Sequence, residues 1–306
     1  MSLASLDELL LDHRVKGMPG GIAPFPLGRI GERKWNVLCE DLPLPLAVLK
    51  ERALTHNSAW MRRFLDLSGA MIAPHGKTTM SPQLFARQLA DGAWAMTVAT
   101  VQQLQVARDF GIGRIVLANQ GFFAPAPIIL SAGGSAFYDL VVARFRAAGI
   151  DRECLVLTRS GCYLTHDSVL YHAADAELRR RMPGVEELGP GLMPALEVWA
   201  YVQSRPEPAK ALLTMGKRDV SYDELPVPLH WCRPGMSAPQ TIASGHIVTG
   251  LNDQHCHMTV PADSPLAVGD MVAFGISHPC LTFDKWQVIC LVDDDYTVTG
   301  AIKTFF

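Results

Sequence analysis

The strongest constraint on the fold is an alternation of short apolar runs with amphipathic segments in the first half of the chain. A helix is predicted over residues 46–66. Predicted strands and helices then alternate, with strands at 69–73, 94–99, 114–119, 128–131 and 154–158 and helices at 81–91, 100–110 and 136–148. This alternation predicts parallel strands joined by helices, in an open layer or a barrel.

From about Leu192 the pattern changes to short alternating runs separated by turn residues. Strands are predicted at 195–203, 245–249, 270–274 and 287–292. This spacing predicts an antiparallel β domain. We therefore divide the chain into a capping segment (1–45) that opens with an amphipathic helix over residues 1–14, an α/β barrel-type domain (46–190) and an antiparallel β domain (191–306).

One connection is too short for its place in this pattern. Eight residues, 120–127, join the predicted strands 114–119 and 128–131, and two of them are prolines. A crossover between parallel strands takes about a dozen residues or more. Only five barrel-type strands are predicted, whereas a closed barrel of this type has eight. The sequence therefore predicts a TIM-barrel-like domain that is incomplete, with its gap at the Gln120-Gly121 junction.

Composition narrows the class of function. Hydrophobic residues make up 49% of the 306 residues and charged residues 19%, and the net charge is -3 without a long basic run. This balance argues against a nucleic-acid partner. No window approaches the roughly 18 apolar residues of a membrane span. The first residues lack the order of a secretory signal, and seven scattered cysteines do not predict a disulfide framework. We expect a cytoplasmic enzyme with a small-molecule substrate and no membrane partner.

Lys77 follows the first predicted parallel strand, within the segment 74–78 (Pro-His-Gly-Lys-Thr). A helix is predicted to begin near Ser81-Pro82. Binding and chemistry gather at this end of the strands in α/β folds. A lysine there, beside His75, could form a Schiff base with a carbonyl compound. A solvated loop lysine is the alternative interpretation.

Two further motifs are compatible with a binding site. Gly133, Gly134 and Ser135 lie between a predicted strand and a helix, where backbone N–H groups can approach an anion. An ordinary tight turn explains them equally well. His278 and Cys280 follow an apolar strand, and in extended geometry both would point to one side and could bind zinc. The alternative is a partly buried cysteine with a histidine nearby.

These motifs, with 97–100 (Thr-Val-Ala-Thr) and 158–163 (Thr-Arg-Ser-Gly-Cys-Tyr), resemble the pyridoxal-phosphate (PLP) enzymes of the alanine-racemase type. The more similar branch is that of the D-serine dehydratases and D-threonine aldolases. The resemblance implies that Lys77 carries PLP and that His75 assists it. It also implies a cofactor site formed by Lys77, Gly133, Gly134, Ser135, Gly161 and Tyr163, with His255 as a neighbour. Ser160 stands where the family has proline.

The resemblance further implies a zinc pair at His278 and Cys280. The dehydratases carry His-x-Cys there and the aldolases His-x-Asp, so Cys280 favours the dehydratases. The implied function is metal-assisted β-elimination of small β-hydroxy D-amino acids, such as D-serine or D-threonine, to a 2-oxo acid and ammonia. Aldolase-type cleavage and a catalytically impaired PLP-binding remnant are the alternatives. The resemblance also implies a homodimer. Related enzymes have three further βα units at this point, and these units look absent at the Gln120-Gly121 junction.

Overall fold

Residues 2–118, 128–150 and 153–306 are described by the structure, which is a computed structural model. The chain begins with a segment of little regular structure, consisting of α1 (Leu3–Asp7), β1 (Leu10–Leu11), β2 (Phe25–Pro26) and a 3-10 helix at Leu27–Arg33. The helix predicted over residues 1–14 thus ends at Asp7. The next residues pair as the short antiparallel ribbon of β1 with β2, which takes up their backbone hydrogen bonds.

The helix predicted over residues 46–66 is wrong in its first five residues. Leu46–Lys50 forms strand β3, and helix α2 begins after it and spans Glu51–Ser68. The first four residues of β3 are all 2% exposed or less. A run that is buried on every side suits a central strand, which is covered on both faces, better than a helix with a solvent face. Periodicity alone does not separate the two for so short a run.

The parallel strands predicted from the sequence are present and stand in one row. The elements of this region are β4 (Met71–Ile72), α3 (Pro82–Ala90), β5 (Met96–Val98), α4 (Val101–Asp109), β6 (Ile115–Leu117), β7 (Ile128–Ala132), α5 (Tyr138–Arg146), β8 (Cys154–Thr158) and α6 (Leu170–Arg181). Parallel pairs join β7 to β8, β8 to β4 and β5 to β6. A parallel bridge between His75 and Thr97 continues the row from β4 to β5. Helix α6 was not among the predicted elements.

The second half of the chain forms a large sheet, as predicted. Its elements are β9 (Leu196–Glu207), β10 (Lys210–Leu213), β11 (Val227–Cys232), β12 (Gln240–Thr241), β13 (Ile247–Leu251), β14 (Cys256–Thr259), β15 (Met271–Gly275), α7 (Cys280–Phe283), β16 (Val288–Val292) and β17 (Val298–Lys303). The long strand β9 has β15 on one side. Its other side is shared by β3, along its first half, and β10, along its second.

The sheet differs from the prediction of a purely antiparallel domain in one pair. β3 and β16 run parallel, with Val48 opposite Cys290. This pair exists because β3 comes from the first part of the chain and enters the sheet between β9 and β16. The first part of the chain is therefore joined to the second by backbone hydrogen bonds as well as by side-chain packing.

The prediction of an incomplete barrel depends on the Gln120-Gly121 junction, which lies outside the described residues. Within the described ranges, β6 and β7 stand at the two ends of the parallel row and no other strand pairs with their outer sides. Across those ranges, no helix combines the length and the apolar character needed to span a membrane.

A buried carboxylate ties β9 to its neighbours. Glu197 is 2% exposed. It accepts hydrogen bonds from Lys50 Nζ (3.2 Å), Trp199 Nε1 (3.3 Å) and the hydroxyl of Tyr296 (3.0 Å). The carboxylate thus accepts from Lys50 of β3, from Trp199 of β9 itself and from Tyr296 just before β17, as a buried charge requires.

We expect Tyr296→Phe to lower the free energy of unfolding by about 1–3 kcal/mol, because it removes a hydrogen bond to a buried charge. The matched control is Tyr222→Phe at a side chain that is 50% exposed, where the change should stay within about 0.5 kcal/mol. Urea unfolding measures both. Equal losses in the two variants would contradict the role given to Glu197.

Candidate active site

A cavity of about 330 Å³ opens at the carboxyl ends of the parallel strands. It gathers eight residues that the sequence predicts for the site, namely His75, Lys77, Gly133, Gly134, Ser135, Gly161, His278 and Cys280. The residues come from the loops after β4, β7 and β8 and from the turn after β15. A volume of this size is typical of a small-molecule site.

Lys77 is held by a short 3-10 helix, Gly76–Thr78, that follows β4 directly. The backbone N–H of Thr78 donates to the carbonyl of His75 at 3.2 Å, and that of Met80 to the carbonyl of Gly76 at 2.9 Å. These bonds fix the backbone of the loop, while the Lys77 side chain is exposed in the cavity. The lysine can therefore reach a bound molecule from a rigid base.

Gly161 lets the loop after β8 lie directly on this lysine loop. A Cβ atom at Gly161 would stand 2.5 Å from Thr78 Oγ1 and 2.6 Å from the carbonyl oxygen of His75. Both distances are shorter than any real contact of that kind, so the approach requires glycine. The requirement brings the loop of Lys77 and the loop of Cys162 into direct contact.

The loops after β7 and β8 are tied together by hydrogen bonds. The hydroxyl of Ser160 donates to the carbonyl of Gly134 at 3.2 Å, and the backbone N–H of Cys162 donates to Ser135 Oγ at 3.4 Å. Gly134 has a φ of +120°, which favours glycine. The Gly133-Gly134-Ser135 turn therefore presents backbone rather than side chains to the cavity, as anion binding requires.

His75 is half-buried beside Lys77, and its Nδ1 atom has no hydrogen-bond partner among the described residues. Burial lowers the pKa of this imidazole to about 4, and the positive charges of Lys77 and Arg159 add to the effect. The ring is therefore neutral near pH 7. It can donate or accept one hydrogen bond toward a bound molecule, but it adds no charge.

Three metal-ligand side chains meet at one wall of the cavity. The ligand atoms of Cys162, His278 and Cys280 all lie within 4.8 Å of one another. The two Sγ atoms are 3.8 Å apart. Hydrogen bonds from Cys280 and His278 lower the pKa of the Cys162 thiol well below its usual range, against the opposing effect of burial. Thiolate and imidazole together suit zinc.

The argument from extended geometry for His278 and Cys280 is wrong, although the two residues do come together. Residues 277–279 form a turn, Pro279 is helical (φ −67°, ψ −26°), and Cys280 begins helix α7. The turn, rather than the alternation of a strand, points both side chains at Cys162. Proline favours this outcome because its fixed φ is suited to the start of a helix.

Two predicted residues lie outside the cavity. Tyr163 is 3% exposed, and its hydroxyl hydrogen bonds with Gln88 on α3; burial raises the pKa of this phenol. His255 is exposed in the turn between β13 and β14, where its carbonyl accepts a hydrogen bond from the N–H of Asn252. This chain therefore does not bring Tyr163 and His255 together with Lys77.

Five residues that line the cavity were not predicted from the sequence, namely Thr78, Ala118, Arg159, Cys162 and Tyr171. Cys162 had a usable signal, because it directly follows Gly161 in a motif already assigned to the site. Arg159 donates from Nη1 to the carbonyl of Ala118 (3.1 Å), and a basic residue at a strand end could have been noted. Tyr171 stands on α6, which gave no signal. Its ring meets that of His278 edge to face at 6.1 Å.

The architecture is a parallel α/β layer followed by a β sheet, with the cavity at the carboxyl ends of the parallel strands. Solved structures with this fold are similar to the chain. D-Threonine aldolase from Filomicrobium marinum has a TM-score of 0.62 at 17% identity, over 86% of this chain and 95% of that chain. An alanine-racemase-like protein from Idiomarina loihiensis has a TM-score of 0.52 at 14% identity, over 85% and 96%.

D-threo-3-Hydroxyaspartate dehydratase from Delftia sp. HT23 has a TM-score of 0.63 at 16% identity, over 88% of this chain and 99% of that chain. A cysteine-to-alanine mutant of D-threo-3-hydroxyaspartate dehydratase, solved in a metal-free form, has a TM-score of 0.63 at 16% identity, over 89% and 99%. No curated protein matches the sequence.

Residues 195–292 match the family model described as the putative serine dehydratase domain. The resemblance to the D-serine dehydratases and D-threonine aldolases that the motifs indicate is thereby confirmed. The match lies in the β sheet and includes His278 and Cys280.

We expect Gly161→Ala to lower the free energy of unfolding by about 1–3 kcal/mol, because the added methyl group would overlap backbone and hydroxyl atoms that have little room to move. Gly113→Ala is the matched control, since nothing lies within 4 Å of a Cβ there. Urea unfolding of both variants measures the difference. Similar stabilities would contradict the tight contact of the two loops.

We expect the stability of the protein to fall as pH drops from about 6.5 to about 4, in part through His75. The pKa of its ring is about 4 in the folded chain and about 6.5 in the unfolded one. Between pH 6.5 and pH 4, His75 is therefore protonated in the unfolded chain but neutral in the folded one, so a falling pH favours unfolding. NMR titration of the histidines should show a midpoint near pH 4 that is missing in His75→Gln. A His75 midpoint above pH 6 would contradict the assignment.

Proposed function

We propose that the protein is a PLP-dependent lyase that eliminates the β-hydroxyl of small D-amino acids, giving a 2-oxo acid and ammonia. One observation carries the proposal: a single cavity is lined both by Lys77 and by the cluster of Cys162, His278 and Cys280. A loop lysine or a thiol cluster alone would fit many activities. Together they fit a reaction at Cα beside a hydroxyl on Cβ.

The residues present fit PLP. Lys77 supplies the amino group that the cofactor's aldehyde requires. The loops after β7 and β8 line the cavity with Gly133, Gly134 and Gly161, whose backbone N–H groups could approach the phosphate. Arg159 adds a positive charge, and its Nε has no partner within the described part of the chain. When bound, PLP supplies an electron sink for the charge that develops at Cα.

The residues present also fit a divalent metal. His278 Nδ1 donates a hydrogen bond to Asp223 Oδ2 at 3.1 Å, which leaves Nε2 for a metal. A carboxylate behind a histidine ligand is the usual arrangement at such centres. A metal held there would supply Lewis acidity toward an oxygen atom.

The chain's own residues then have distinct tasks. Lys77 Nζ would hold the cofactor, and the same amino group would accept the proton from Cα of the substrate. The Arg159 guanidinium holds an anionic group, either the substrate carboxylate or the phosphate. Neutral His75 orients groups by hydrogen bonding. The Tyr171 ring packs edge to face against that of His278 and helps to hold its orientation.

The dehydratase outcome is favoured over aldolase cleavage by Cys280, because the resemblance associates cysteine at this position with dehydratases. The two outcomes give different products. D-Serine, D-threonine and D-threo-3-hydroxyaspartate would yield 2-oxo acids and ammonia by elimination, but glycine and an aldehyde by cleavage. Product analysis with these substrates, and with the L-enantiomers as controls, decides between them. Glycine as the main product would overturn the dehydratase proposal.

We also propose that the barrel is incomplete, that the chain has the domain limits predicted from the sequence, that it is cytoplasmic and that it forms a homodimer. The barrel proposal is supported by the five parallel strands in the described ranges. Hydrogen exchange tests it: the outer N–H groups of β6 and β7 should exchange much faster than those of β8.

Sedimentation equilibrium tests the dimer, and a monomer at micromolar concentration would contradict it.

We expect purified protein with added PLP to absorb in the visible range, and borohydride reduction to fix the cofactor on Lys77. Lys77→Ala should abolish the adduct and lower turnover at least about 10³-fold, because it removes both the attachment point and the proton acceptor. Lys217→Ala, at an exposed lysine outside the cavity, is the control. Peptide mass mapping reads the adduct. Adducts scattered over surface lysines would contradict the proposal.

A further inference from the structure

We infer that the metal centre has three protein ligands, Cys162, His278 and Cys280, and that it selects zinc and leaves one coordination position open to the cavity. The inference rests on the proposed function and goes beyond the two-residue pair predicted from the sequence. Cys162 comes from the loop after β8, whereas the other two come from the turn after β15. The site therefore joins the α/β layer to the β sheet.

The spacing of the sulfur atoms fits a shared tetrahedral ion. With zinc–sulfur bonds of about 2.3 Å, two thiolates on one tetrahedral zinc lie about 3.8 Å apart. The Sγ atoms of Cys162 and Cys280 lie 3.8 Å apart. His278 completes the set within 4.8 Å. No other group of three such ligand atoms exists among the described residues.

The surroundings of the three ligands are also those of a metal site. The carboxylate of Asp223 accepts a hydrogen bond from Nδ1 of His278. It also accepts one at Oδ1 from the hydroxyl of Ser277, at 3.1 Å. This chain of contacts fixes the ring orientation and aims Nε2 toward the sulfur atoms. On the other side, Thr78 Oγ1 lies 3.8 Å from Cys162 Sγ. Both flanks of the cluster are thus supported by polar groups.

The donor set decides which metal fits. Two thiolates and one imidazole are soft to borderline ligands, which favour zinc over magnesium or manganese. Three protein ligands with an open fourth position are typical of catalytic zinc, whereas a closed set of four is typical of structural zinc. A site with only His278 and Cys280 would leave more positions to water and would discriminate less against harder ions.

The burial of Cys162 supports the same conclusion. The residue is 4% exposed, yet its thiol faces the cavity wall beside two other ligand groups. A buried cysteine that serves only in core packing does not need metal-ligand groups beside its sulfur atom. Cys290 is 1% exposed and buried in the sheet core. It shows how this chain buries a cysteine that has no ligand group around it.

X-ray absorption of the zinc-loaded wild-type protein tests the inference without any substitution. We expect two sulfur neighbours per zinc at about 2.3 Å, together with nitrogen and oxygen neighbours. One sulfur per zinc would overturn the inference, as would a failure of the protein to retain zinc after dialysis.

Variants provide the second test. In the cobalt-substituted protein, the thiolate-to-metal absorption should fall by about half in Cys162→Ser and in Cys280→Ser. It should be unchanged in Cys39→Ser, at an exposed cysteine remote from the cluster. Zinc affinity of Cys162→Ser should fall by more than about 100-fold, beyond the loss that follows removal of an outer partner. Full absorption and affinity in folded Cys162→Ser would overturn the inference.

The same samples separate this inference from the proposed function. A PLP adduct on Lys77 with one sulfur per zinc would overturn the three-ligand centre and support the lyase. Two sulfurs per zinc without an adduct on Lys77 would support the three-ligand centre and overturn the lyase.

Discussion

The contact between Gly161 and the loop from His75 to Thr78 determines the geometry of the cavity. Two loops at neighbouring strand ends ordinarily stay a side chain apart, but here the missing Cβ brings backbone against backbone. Lys77 and Cys162 belong to the two sides of this contact. A change of a few tenths of an ångström there would move a lysine and a metal ligand together, and well-packed interiors do not absorb such changes freely.

The second part of the site depends on the β sheet. Strand β15 is buried along its whole length between β9 and β11, and the turn that carries His278 and Cys280 begins where it ends. β3 anchors the α/β layer to the same β9. One central strand therefore fixes the position of the metal wall relative to the lysine loop. Glu197 links that strand to Lys50 of β3 and to Tyr296, which both donate to its carboxylate.

Much of the fold could be predicted from the sequence, and the exceptions have physical causes. The strand at 154–158 was predicted with its observed limits, because the run is too short for a helix and lies between helix 136–148 and the turn at Gly161. β3 was mistaken for the start of α2, because four apolar residues in a row fit either element. The lysine motif and the glycine turn were found through local pattern. Cys162 was missed although it follows Gly161 in the same motif, and Tyr171 was missed because only the tertiary contacts of α6 bring it to the cavity.

The place of β3 in the sheet has a consequence for the order of folding. Its partner residues on β9 follow it by about 150 positions, and those on β16 by about 240, and contacts of such long range form slowly. During synthesis, the parallel layer can pair its neighbouring strands while β3 still lacks both partners. The four apolar residues Leu46–Leu49 of β3 therefore stay without one of their partner strands until β16 has been synthesised. The interval in which β3 lacks part of its pairing thus runs from the synthesis of Leu46 to the synthesis of Val292.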